Sequence, residues 1–471
     1  MKRFQPVNRS RRNFLLRSAQ FTFAVWAGRT LSACSSPAVF TDDGSPSGAL
    51  AIIQGATSAG TVQFGVLEPV KENFAYRAQD LATGQVFEPR EVKAFSRPTF
   101  PWRQMTLQFV GLDTKSGYSL MVYRKGKGGE PGSLVDYRRF KTLDVSKENP
   151  RIVVASCMDD FYKSEQEMMW KQVAGEKADA LFLIGDQVYT DRSGGQFVGA
   201  VDPALLWKRY VETRNALHIF RRRELIPVFA IWDDHDYGLN DGDREYPYGS
   251  ESSQIFAAFF PRAPIAGTYD MGPGLSRRLK AWGQSFFFLD DRTFRSPDLK
   301  SSPKSEAKTN GPGQSHLGPA QDEWLQHILD TDPTPAWLVD GDQYFGGYQQ
   351  FESWEGSHPS DFKAFLTKLK KAKGPFWFVS GDRHLTELMA IEPAVVGYPT
   401  YELTTSAIHA KVFPSTWDQE PNPRQIAGAA NEMNYAVVES KAVPGQPWAL
   451  SIRAMGLDGK KLYEKEITIQ R

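Results

Sequence analysis

The sequence predicts a protein of mixed class, with an N-terminal β-sandwich of immunoglobulin or fibronectin-III type followed by an α/β layered domain. Two observations predict this division. Residues 49–145 contain segments that alternate apolar and polar side chains with a period of two, separated by turn-forming residues. From residue 150 to residue 471, short apolar strand-like runs alternate with helical segments. We therefore expect two folded domains, at 49–145 and 150–471.

The N-terminal domain is expected to contain several short strands. The strand pattern is clearest at 62–66, 105–110 and 118–123, and turn-forming triplets at 82–84 and 115–117 separate such segments. Closely spaced short strands are typical of a sandwich. The domain has no cluster of catalytic residue types, so we interpret it as a structural or positioning module.

The C-terminal domain is expected to begin with strands and helices in alternation. Strands are predicted at 152–155, 180–184, 227–231, 286–289, 336–339 and 376–379. Helices are predicted near 165–176, 203–223 and 253–260. The segment 435–469 returns to β structure with a hairpin turn at 457–459, and 295–315 is expected to be a long surface loop.

The first residues have the features of an export signal. SRRNFLL (10–16) resembles a twin-arginine motif, and the apolar run FTFAVWAG (21–28) is shorter than the roughly 20 residues that span a bilayer. LSAC (31–34) resembles a lipobox, in which Cys34 would be acylated. We predict a signal peptide over 1–33 and, because 34–48 is rich in Ser, Pro, Asp and Gly, a flexible tether.

These N-terminal features also predict partners and location. We expect export by the twin-arginine translocase and processing by the lipoprotein machinery. The mature chain would be a periplasmic or cell-surface lipoprotein that touches the membrane through its lipid alone. Which membrane holds the anchor is left open.

Charge and cysteine content narrow the function classes. The formal net charge is +1, and the longest basic run after the N-terminal segment is the arginine triplet at 221–223. Specific nucleic-acid binding is therefore not expected, since it depends on a concentrated basic surface. The chain has two cysteines, Cys34 and Cys157. With Cys34 acylated, Cys157 has no disulfide partner, so we expect it to be buried or bound to a metal.

Polar residues follow five of the predicted strands where each strand ends. The clusters are SC (156–157), GDQVY (185–189), WDDHD (232–236), DGD (340–342) and SGDRH (380–384). Ligands bind beyond the carboxyl ends of strands in open α/β sheets, so we expect the clusters to converge on one sheet edge.

The acids of these clusters require positive charge nearby. Four carboxylates brought together could not all stay ionised alone, and no Lys accompanies them, so metal ions are predicted. Carboxylates suit calcium, magnesium or manganese, whereas thiolate, phenolate and imidazole suit iron or another transition metal. The four acids are Asp186, Asp234, Asp342 and Asp382.

The motifs GDQVY, WDDHD and SGDRH resemble the signature of the alkaline phosphatase D (PhoD-like) family, within the calcineurin-like metallophosphoesterase superfamily. The resemblance implies a four-layer αββα catalytic domain that hydrolyses phosphate esters at a ferric iron and calcium centre, with other divalent metals possible in the second site. It implies that Asp186 bridges the two metals. The remaining implied ligands are Cys157, Tyr189 and His384 for iron, Asp234 and Asp382 for the second metal, and Asp342 at the place of a further metal-binding histidine.

The resemblance also implies catalytic roles. His235 stands at the place of the superfamily's catalytic histidine and would assist the leaving oxygen while a metal-activated water or oxide attacks phosphorus. Arg383 is either a clamp for a phosphate oxygen or a surface residue. The family pattern usually continues with Glu where Asp236 stands, which leaves the preference between phosphomonoesters and phosphodiesters open.

Two alternatives accompany this interpretation. One is a phosphodiesterase acting on phospholipid or teichoic-acid-like polymers. The other is a catalytically inactive surface protein that binds a polymer. The complete set of predicted ligands argues against inactivity, because a decayed site usually loses a ligand.

Overall fold

The computed structural model describes residues 48–298, 314–349, 351–413 and 421–471. The predicted signal peptide, Cys34 and almost all of the predicted tether lie outside these residues. Export and acylation therefore stay predictions. Over the described ranges, no helix is both long and apolar enough to cross a membrane.

The N-terminal part of the described chain is built from antiparallel strands. They form two four-stranded sheets, ordered β1-β2-β6-β5 and β4-β3-β7-β8. Both sheets contribute to one apolar core, in which the Phe64 and Phe140 rings lie 4.9 Å apart. The strands are β1 (Ala51–Thr57), β2 (Thr61–Pro69), β3 (Phe74–Asp80), β4 (Val86–Phe87), β5 (Glu91–Ser96), β6 (Trp102–Val110), β7 (Tyr118–Lys125) and β8 (Pro131–Phe140).

The remainder alternates strands and helices before returning to strands. The elements are β9 (Arg151–Ala155), α1 (Lys163–Gly175), β10 (Ala180–Ile184), β11 (Arg192–Ser193), β12 (Gln196–Phe197), α2 (Pro203–Ala216), β13 (Val228–Ile231), α3 (Asp234–Tyr237), α4 (Gly249–Phe259), β14 (Tyr269–Met271), β15 (Arg277–Ala281), β16 (Gln284–Phe288), α5 (Pro319–Leu329), β17 (Ala336–Val339), α6 (Trp354–Ser357), α7 (Pro359–Leu369), β18 (Phe376–Ser380), β19 (Thr386–Ile391), α8 (Pro393–Val396), β20 (Thr400–Thr405), β21 (Gln425–Ala429), β22 (Asn434–Lys441), β23 (Trp448–Gly456) and β24 (Lys461–Ile469). The predicted helix at 203–223 is too long, because α2 ends at Ala216 and a separate 3-10 turn follows.

Two larger sheets pack against each other in this part. One has six strands, ordered β13-β10-β9-β22-β23-β24, and the other has eight, ordered β14-β15-β16-β17-β18-β20-β19-β21. Phe182 of the first lies 5.3 Å from Phe286 and 6.1 Å from Trp337 of the second, measured between ring centroids. On β16, Phe287 instead contacts Trp324 of α5 at 5.7 Å. The described chain therefore has a mixed α/β fold with several sheets and few helices.

The two sheets correct one expectation. β9, β10 and β13 are neighbours in the six-stranded sheet, whereas β17 and β18 are neighbours in the eight-stranded sheet. Each group is parallel, so its polar clusters follow strands that end on the same side. The expectation of one shared sheet edge is therefore wrong. An apolar strand pattern reports burial but not sheet membership.

The predicted surface loop at 295–315 is wrong at its beginning. Arg295 is fully buried, and its guanidinium lies 3.0 Å from a carboxylate oxygen of Asp342 and 3.0 Å from one of Asp298. Residues 299–313 lie outside the described ranges. A buried arginine inside a Ser- and Pro-rich run has no local sequence signal, since its partner stands far along the chain.

Candidate metal centre

Glycines allow the strand ends of the two facing sheets to meet. A Cβ atom on Gly185 would lie 2.6 Å from the Cβ of Asp233, and one on Gly381 would lie 2.7 Å from the carbonyl oxygen of Ile184. Gly381 also donates its amide hydrogen to the carbonyl of Gly341 at 2.9 Å. Larger residues would force these backbones apart, so the glycines set the spacing of the polar clusters.

Several predicted ligands sit in left-handed backbone conformations. This region is uncommon for residues other than glycine and costs of the order of 1–3 kcal/mol. The surrounding hydrogen bonds hold it, as where Cys157 donates its amide to the carbonyl of Gly185 at 3.1 Å. Strained backbone of this kind clusters at functional sites. The φ angles are 57° at Cys157, 56° at Asp186, 61° at Asp382 and 51° at His384.

One ligand cluster combines sulfur, oxygen and nitrogen. The ligand atoms of Cys157, Asp186 and His384 all lie within 4.8 Å of one another. The Cys157 Sγ is 3.5 Å from Asp186 Oδ2, and the Tyr189 hydroxyl is 3.3 Å from His384 Nε2. The predicted iron ligands are thus neighbours. Their mixture of thiol, phenol, imidazole and carboxylate suits a transition metal.

Asp186 belongs to two further clusters among the described residues. Its carboxylate groups with Asp234 and His235, and also with Asp233 and Asp382, again within 4.8 Å. The predicted ligands of the second metal therefore lie around the same carboxylate as the first cluster. An oxygen-rich set of this kind suits a hard cation.

The protonation behaviour of these groups fits a cation. Burial, with Asp234 and Cys157 nearby, raises the pKa of Asp186 well above its ordinary value. Burial raises the pKa of Asp382 to about 7 and that of Cys157 to about 12. Within the described ranges, buried Asp233 has one oxygen, Oδ2, without a hydrogen-bond partner. Metal ions would provide the missing positive charge and a partner, so the donor set fits the metals that the sequence predicts.

A buried arginine offsets part of the negative charge of these carboxylates. Arg292 is fully buried and donates from Nε to Asp233 Oδ1 at 2.7 Å and from Nη1 to Glu352 Oε1 at 2.8 Å. It lies 59 residues from Asp233 in the sequence. Sequence reasoning missed both Arg292 and Glu352, and neither stands in a motif.

A third group of carboxylates adjoins the second cluster. The ligand oxygens of Asp234, Asp241 and Glu352 lie within 4.8 Å of one another. The Asp241 amide donates to Asp234 Oδ2 at 2.6 Å. Asp233 and Asp241 were also missed as site residues. The sequence did contain a signal for both residues, because Asp233 lies inside the WDDHD motif and Asp241 follows that motif after a short turn.

His235 is oriented by a carboxylate that the sequence reasoning missed. Its Nδ1 lies 2.9 Å from Asp191 Oδ1, and its ring centroid is 4.3 Å from that of Tyr189. The other oxygen of Asp191 accepts the Asn240 amide at 3.3 Å. Burial lowers the pKa of His235, but Asp234 and Asp191 outweigh burial and raise it to about 9. These two carboxylates therefore favour the protonated form of the imidazole.

Arg383 and Asp342 differ from the other predicted site residues. Arg383 is 9% exposed, so the surface-residue alternative is wrong. Its Nη1 donates to the carbonyl of Glu352 at 3.3 Å, and its Nη2 donates to Gln349. Asp342 pairs with Arg295 and belongs to none of the ligand clusters found among the described residues.

The chain is also similar in sequence to known proteins. Residues 152–443 match the family model of the PhoD-like phosphatases. Alkaline phosphatase D of Bacillus subtilis (strain 168) is 22% identical over 345 residues, which cover 63% of this chain and 57% of that relative. The match therefore spans little more than half of the relative's length.

A solved structure shares the fold. The purple acid phosphatase from yellow lupin (Lupinus luteus) seeds superposes with a TM-score of 0.57 at 12% identity, covering 89% of this chain and 74% of that one. At this level of identity the match establishes the fold alone.

Proposed function

The chain belongs to the PhoD-like phosphatase family, and from this membership we propose that it is an exported, metal-dependent phosphoric ester hydrolase of the alkaline phosphatase D type. The observation that carries the proposal is the carboxylate of Asp186, which three of the ligand clusters among the described residues share. A single carboxylate shared in this way is suited to bridging two metal ions.

The proposed metal ligands divide by chemistry. Iron in the ferric state would be held by Cys157, Asp186, Tyr189 and His384. The second metal, calcium or another divalent ion, would be held by Asp186, Asp234 and Asp382. When bound, the metals supply Lewis-acid polarisation of the phosphoryl oxygens and activation of a water nucleophile.

The chain's own residues complete the reaction. We assign to His235 the donation of a proton to the leaving oxygen, because Asp191 holds its imidazole and favours the protonated form. Arg383 would orient the phosphate from the edge of the site. Its Nη1 lies 3.7 Å from Asp382 Oδ2, so the guanidinium stands beside a proposed metal ligand and could donate to a phosphate oxygen there.

The proposal extends to architecture and location. The two N-terminal sheets would form a sandwich of immunoglobulin or fibronectin-III type that positions substrate, beside a four-layer αββα catalytic domain. The N-terminal motifs support export through the twin-arginine translocase and anchoring through acylated Cys34. Its substrate would be a phosphate ester of the periplasm or cell surface.

One experiment tests the site and the reaction together. The purified holoenzyme is analysed for iron and calcium, its visible absorption spectrum is recorded, and hydrolysis of nitrophenyl phosphate monoester and diester is measured. We expect iron near one per chain and a broad charge-transfer band. Tyr189→Phe should abolish the band, and Asp186→Asn should abolish turnover of both esters.

A matched control separates ligation from folding. Tyr344→Phe removes another buried hydroxyl, which has no hydrogen-bond partner among the residues that the structure describes, and should leave the band and the rates intact. An iron-free, colourless enzyme that hydrolyses esters would refute the iron assignment but not the reaction. A protein that stays inert after reconstitution with iron and calcium would overturn the hydrolase proposal and favour a polymer-binding role.

A further inference from the structure

An exposed phenylalanine lies against the imidazole that is assigned to the leaving oxygen. Among the residues that the structure describes, Phe197 is 61% exposed. Its ring centroid lies 5.6 Å from that of His235, with an angle of 28° between the two ring planes, and 6.5 Å from that of Tyr189. Single exposed apolar side chains are ordinary on protein surfaces. The position of Phe197, rather than its exposure alone, therefore indicates a contact with substrate.

A short hairpin presents this side chain. Strands β11 and β12 are joined by the two glycines at 194–195, whose φ angles of 59° and 84° are those that a type I′ turn requires. Arg192 and Phe197 stand directly opposite each other in the hairpin, so their side chains are neighbours on one face. The Val198 amide donates to the carbonyl of Asp191 at 2.7 Å. The hairpin is thereby fixed beside the carboxylate that contacts the proposed acid.

Arg192 connects Phe197 to a second exposed phenylalanine. Its guanidinium carbon lies 5.0 Å from the ring centroid of Phe197 and 4.7 Å from that of Phe161, which is 38% exposed. The guanidinium pairs with buried Asp159 and donates to the carbonyl of Gly195 at 2.7 Å. Because Asp159 offsets the charge of Arg192, this surface offers mainly apolar contact. We call the side chains of Phe161, Arg192 and Phe197 the phenylalanine wall.

The phenylalanine wall adjoins the leaving-group side of the proposed reaction. If His235 protonates the leaving oxygen, the organic group on that oxygen has to lie close to the His235 ring. Phe197 contacts this ring and keeps most of its own surface exposed. A phenyl ring offers apolar area and stacking but no hydrogen-bond partner for a hydroxyl group. An apolar leaving group would therefore gain from the contact, whereas a hydrated polyol would gain little.

We propose that the phenylalanine wall binds the leaving group of the substrate, and that the substrate class is phosphate esters of apolar, ring-bearing alcohols. This inference rests on the proposed phosphohydrolase function, which places the leaving oxygen at His235. Removing about 60 Å² of apolar surface from water against the wall would strengthen binding roughly tenfold.

A pair of phosphonates tests the wall without requiring turnover. In 3-phenylpropylphosphonate and propylphosphonate a carbon atom replaces the ester oxygen, so neither can be hydrolysed, and the two differ by one phenyl ring. Calorimetric titration of the full-length holoenzyme with each gives the ratio of the two Kd values. We expect the phenyl compound to bind at least about tenfold more tightly. Equal Kd values would overturn the proposal.

Substitutions at Phe197 locate the contact. Phe197→Ala should lower the ratio of Kd values to about threefold or less, whereas Phe197→Leu keeps an apolar side chain and should retain most of the ratio. A purely structural role of Phe197 in supporting His235 would weaken both phosphonates alike. An unchanged ratio in Phe197→Ala would therefore refute the contact. Because residue 197 is exposed, both variants are expected to fold.

Phe413 provides a matched control within the same site. It is 44% exposed, and its ring centroid lies 5.3 Å from that of His384, a proposed iron ligand. Phe413→Ala should leave the ratio of Kd values unchanged, because this ring adjoins an iron ligand rather than the proposed acid. Loss of selectivity in Phe413→Ala, with none in Phe197→Ala, would place the apolar group elsewhere and overturn the proposal.

Turnover then tests the substrate class. In 3-phenylpropyl phosphate and propyl phosphate the ring is remote from the ester oxygen, so the two leaving groups are about equally reactive. The kcat/KM of the phenyl ester should be at least about tenfold higher, and Phe197→Ala should reduce this preference. If the native enzyme hydrolyses diesters alone, the corresponding methyl diesters replace the two monoesters. Equal kcat/KM values for the two esters would overturn the proposed substrate class.

The same measurements separate this inference from the proposed function. An enzyme that hydrolyses nitrophenyl phosphate but binds both phosphonates equally would keep the phosphohydrolase function and refute the wall. An enzyme that binds the phenyl compound selectively but hydrolyses no phosphate ester would refute the phosphohydrolase function, and with it the assignment of a leaving group to the wall.

Discussion

The imidazole of His235 lies with its Nδ1 atom 2.9 Å from the carboxylate of Asp191, and both side chains are buried. In the proposed reaction, the other ring nitrogen, Nε2, is the one that would act on substrate. The contact with Asp191 also favours the protonated form, so in the proposed reaction Asp191 would orient His235 as the general acid before substrate binds.

The first prediction concerns this positioning carboxylate. Asp191→Asn should lower kcat roughly 10- to 100-fold with little change in KM, because Asp191 orients His235 and does not touch substrate. The pH profile of kcat should shift to lower pH, since the carboxylate raises the pKa of His235. A variant carrying Asp191→Asn and His235→Ala should be no slower than His235→Ala alone. Additive losses would show that Asp191 acts independently.

The second prediction concerns the close approach at Gly381. A Cβ there would lie 2.7 Å from the Ile184 carbonyl oxygen and 3.0 Å from that of Gly341, so backbone must move. Gly381→Ala should therefore reduce bound iron and calcium, measured by metal analysis, and reduce turnover with them. Gly175→Ala, at the end of α1 where a Cβ meets nothing within 4 Å, is the control and should keep full metal content. A fully loaded Gly381→Ala enzyme would contradict the argument.

The third prediction concerns Arg292. Its replacement by Met leaves buried Asp233 without its ion-pair partner and Glu352 with Arg295 alone, which should lower the free energy of unfolding by about 3–5 kcal/mol. Urea denaturation measures the change. Arg77→Met breaks an exposed ion pair with Glu88 at 2.7 Å and should cost less than about 1 kcal/mol. Similar losses in the two variants would mean that burial of the pair has no energetic effect.

The fourth prediction concerns acid stability through His409. Its Nε2 accepts the Trp170 indole N–H at 2.9 Å, and burial lowers its pKa from 6.5 to about 4. The unfolded chain therefore binds this proton more readily than the folded chain. The contribution of His409 to the free energy of unfolding is fully present above pH 6.5 and is lost as the pH falls toward 4. At pH 4 the loss is on the order of 3 kcal/mol.

Substitution tests that assignment. His409→Gln keeps an acceptor for Trp170 but cannot titrate in this range. Urea unfolding at pH 7.5 and pH 5 should show a smaller decrease in the free energy of unfolding for the variant than for the native chain. An equal decrease in both would assign the acid sensitivity to other groups.

The sequence alone could predict that the proposed metal ligands lie close together, because each predicted cluster directly follows a buried strand. Cys157, Asp186 and His384 are brought together although they lie after β9, β10 and β18. Their division between two facing sheets could not be predicted, since strands buried on both faces look alike in sequence.

Residues whose partners lie far away in the sequence could not be predicted either. The roles of Arg292 and Glu352 depend on their contacts with Asp233 and Asp234, which lie far from them in the sequence. No periodicity or motif marks a buried ion pair of this kind. Asp191 is different: it stands two residues after GDQVY, but its role is visible only when His235 is placed beside it.

The strand before Cys157 has neighbours from opposite parts of the chain. In β9, Val153 pairs with Leu181 of β10 on one side and with Val437 of β22 on the other. A ribosome must therefore extend the chain past residue 441 before this strand is enclosed. The site proposed for iron would then be enclosed only after residue 441 has been synthesised, which favours metal uptake after that point.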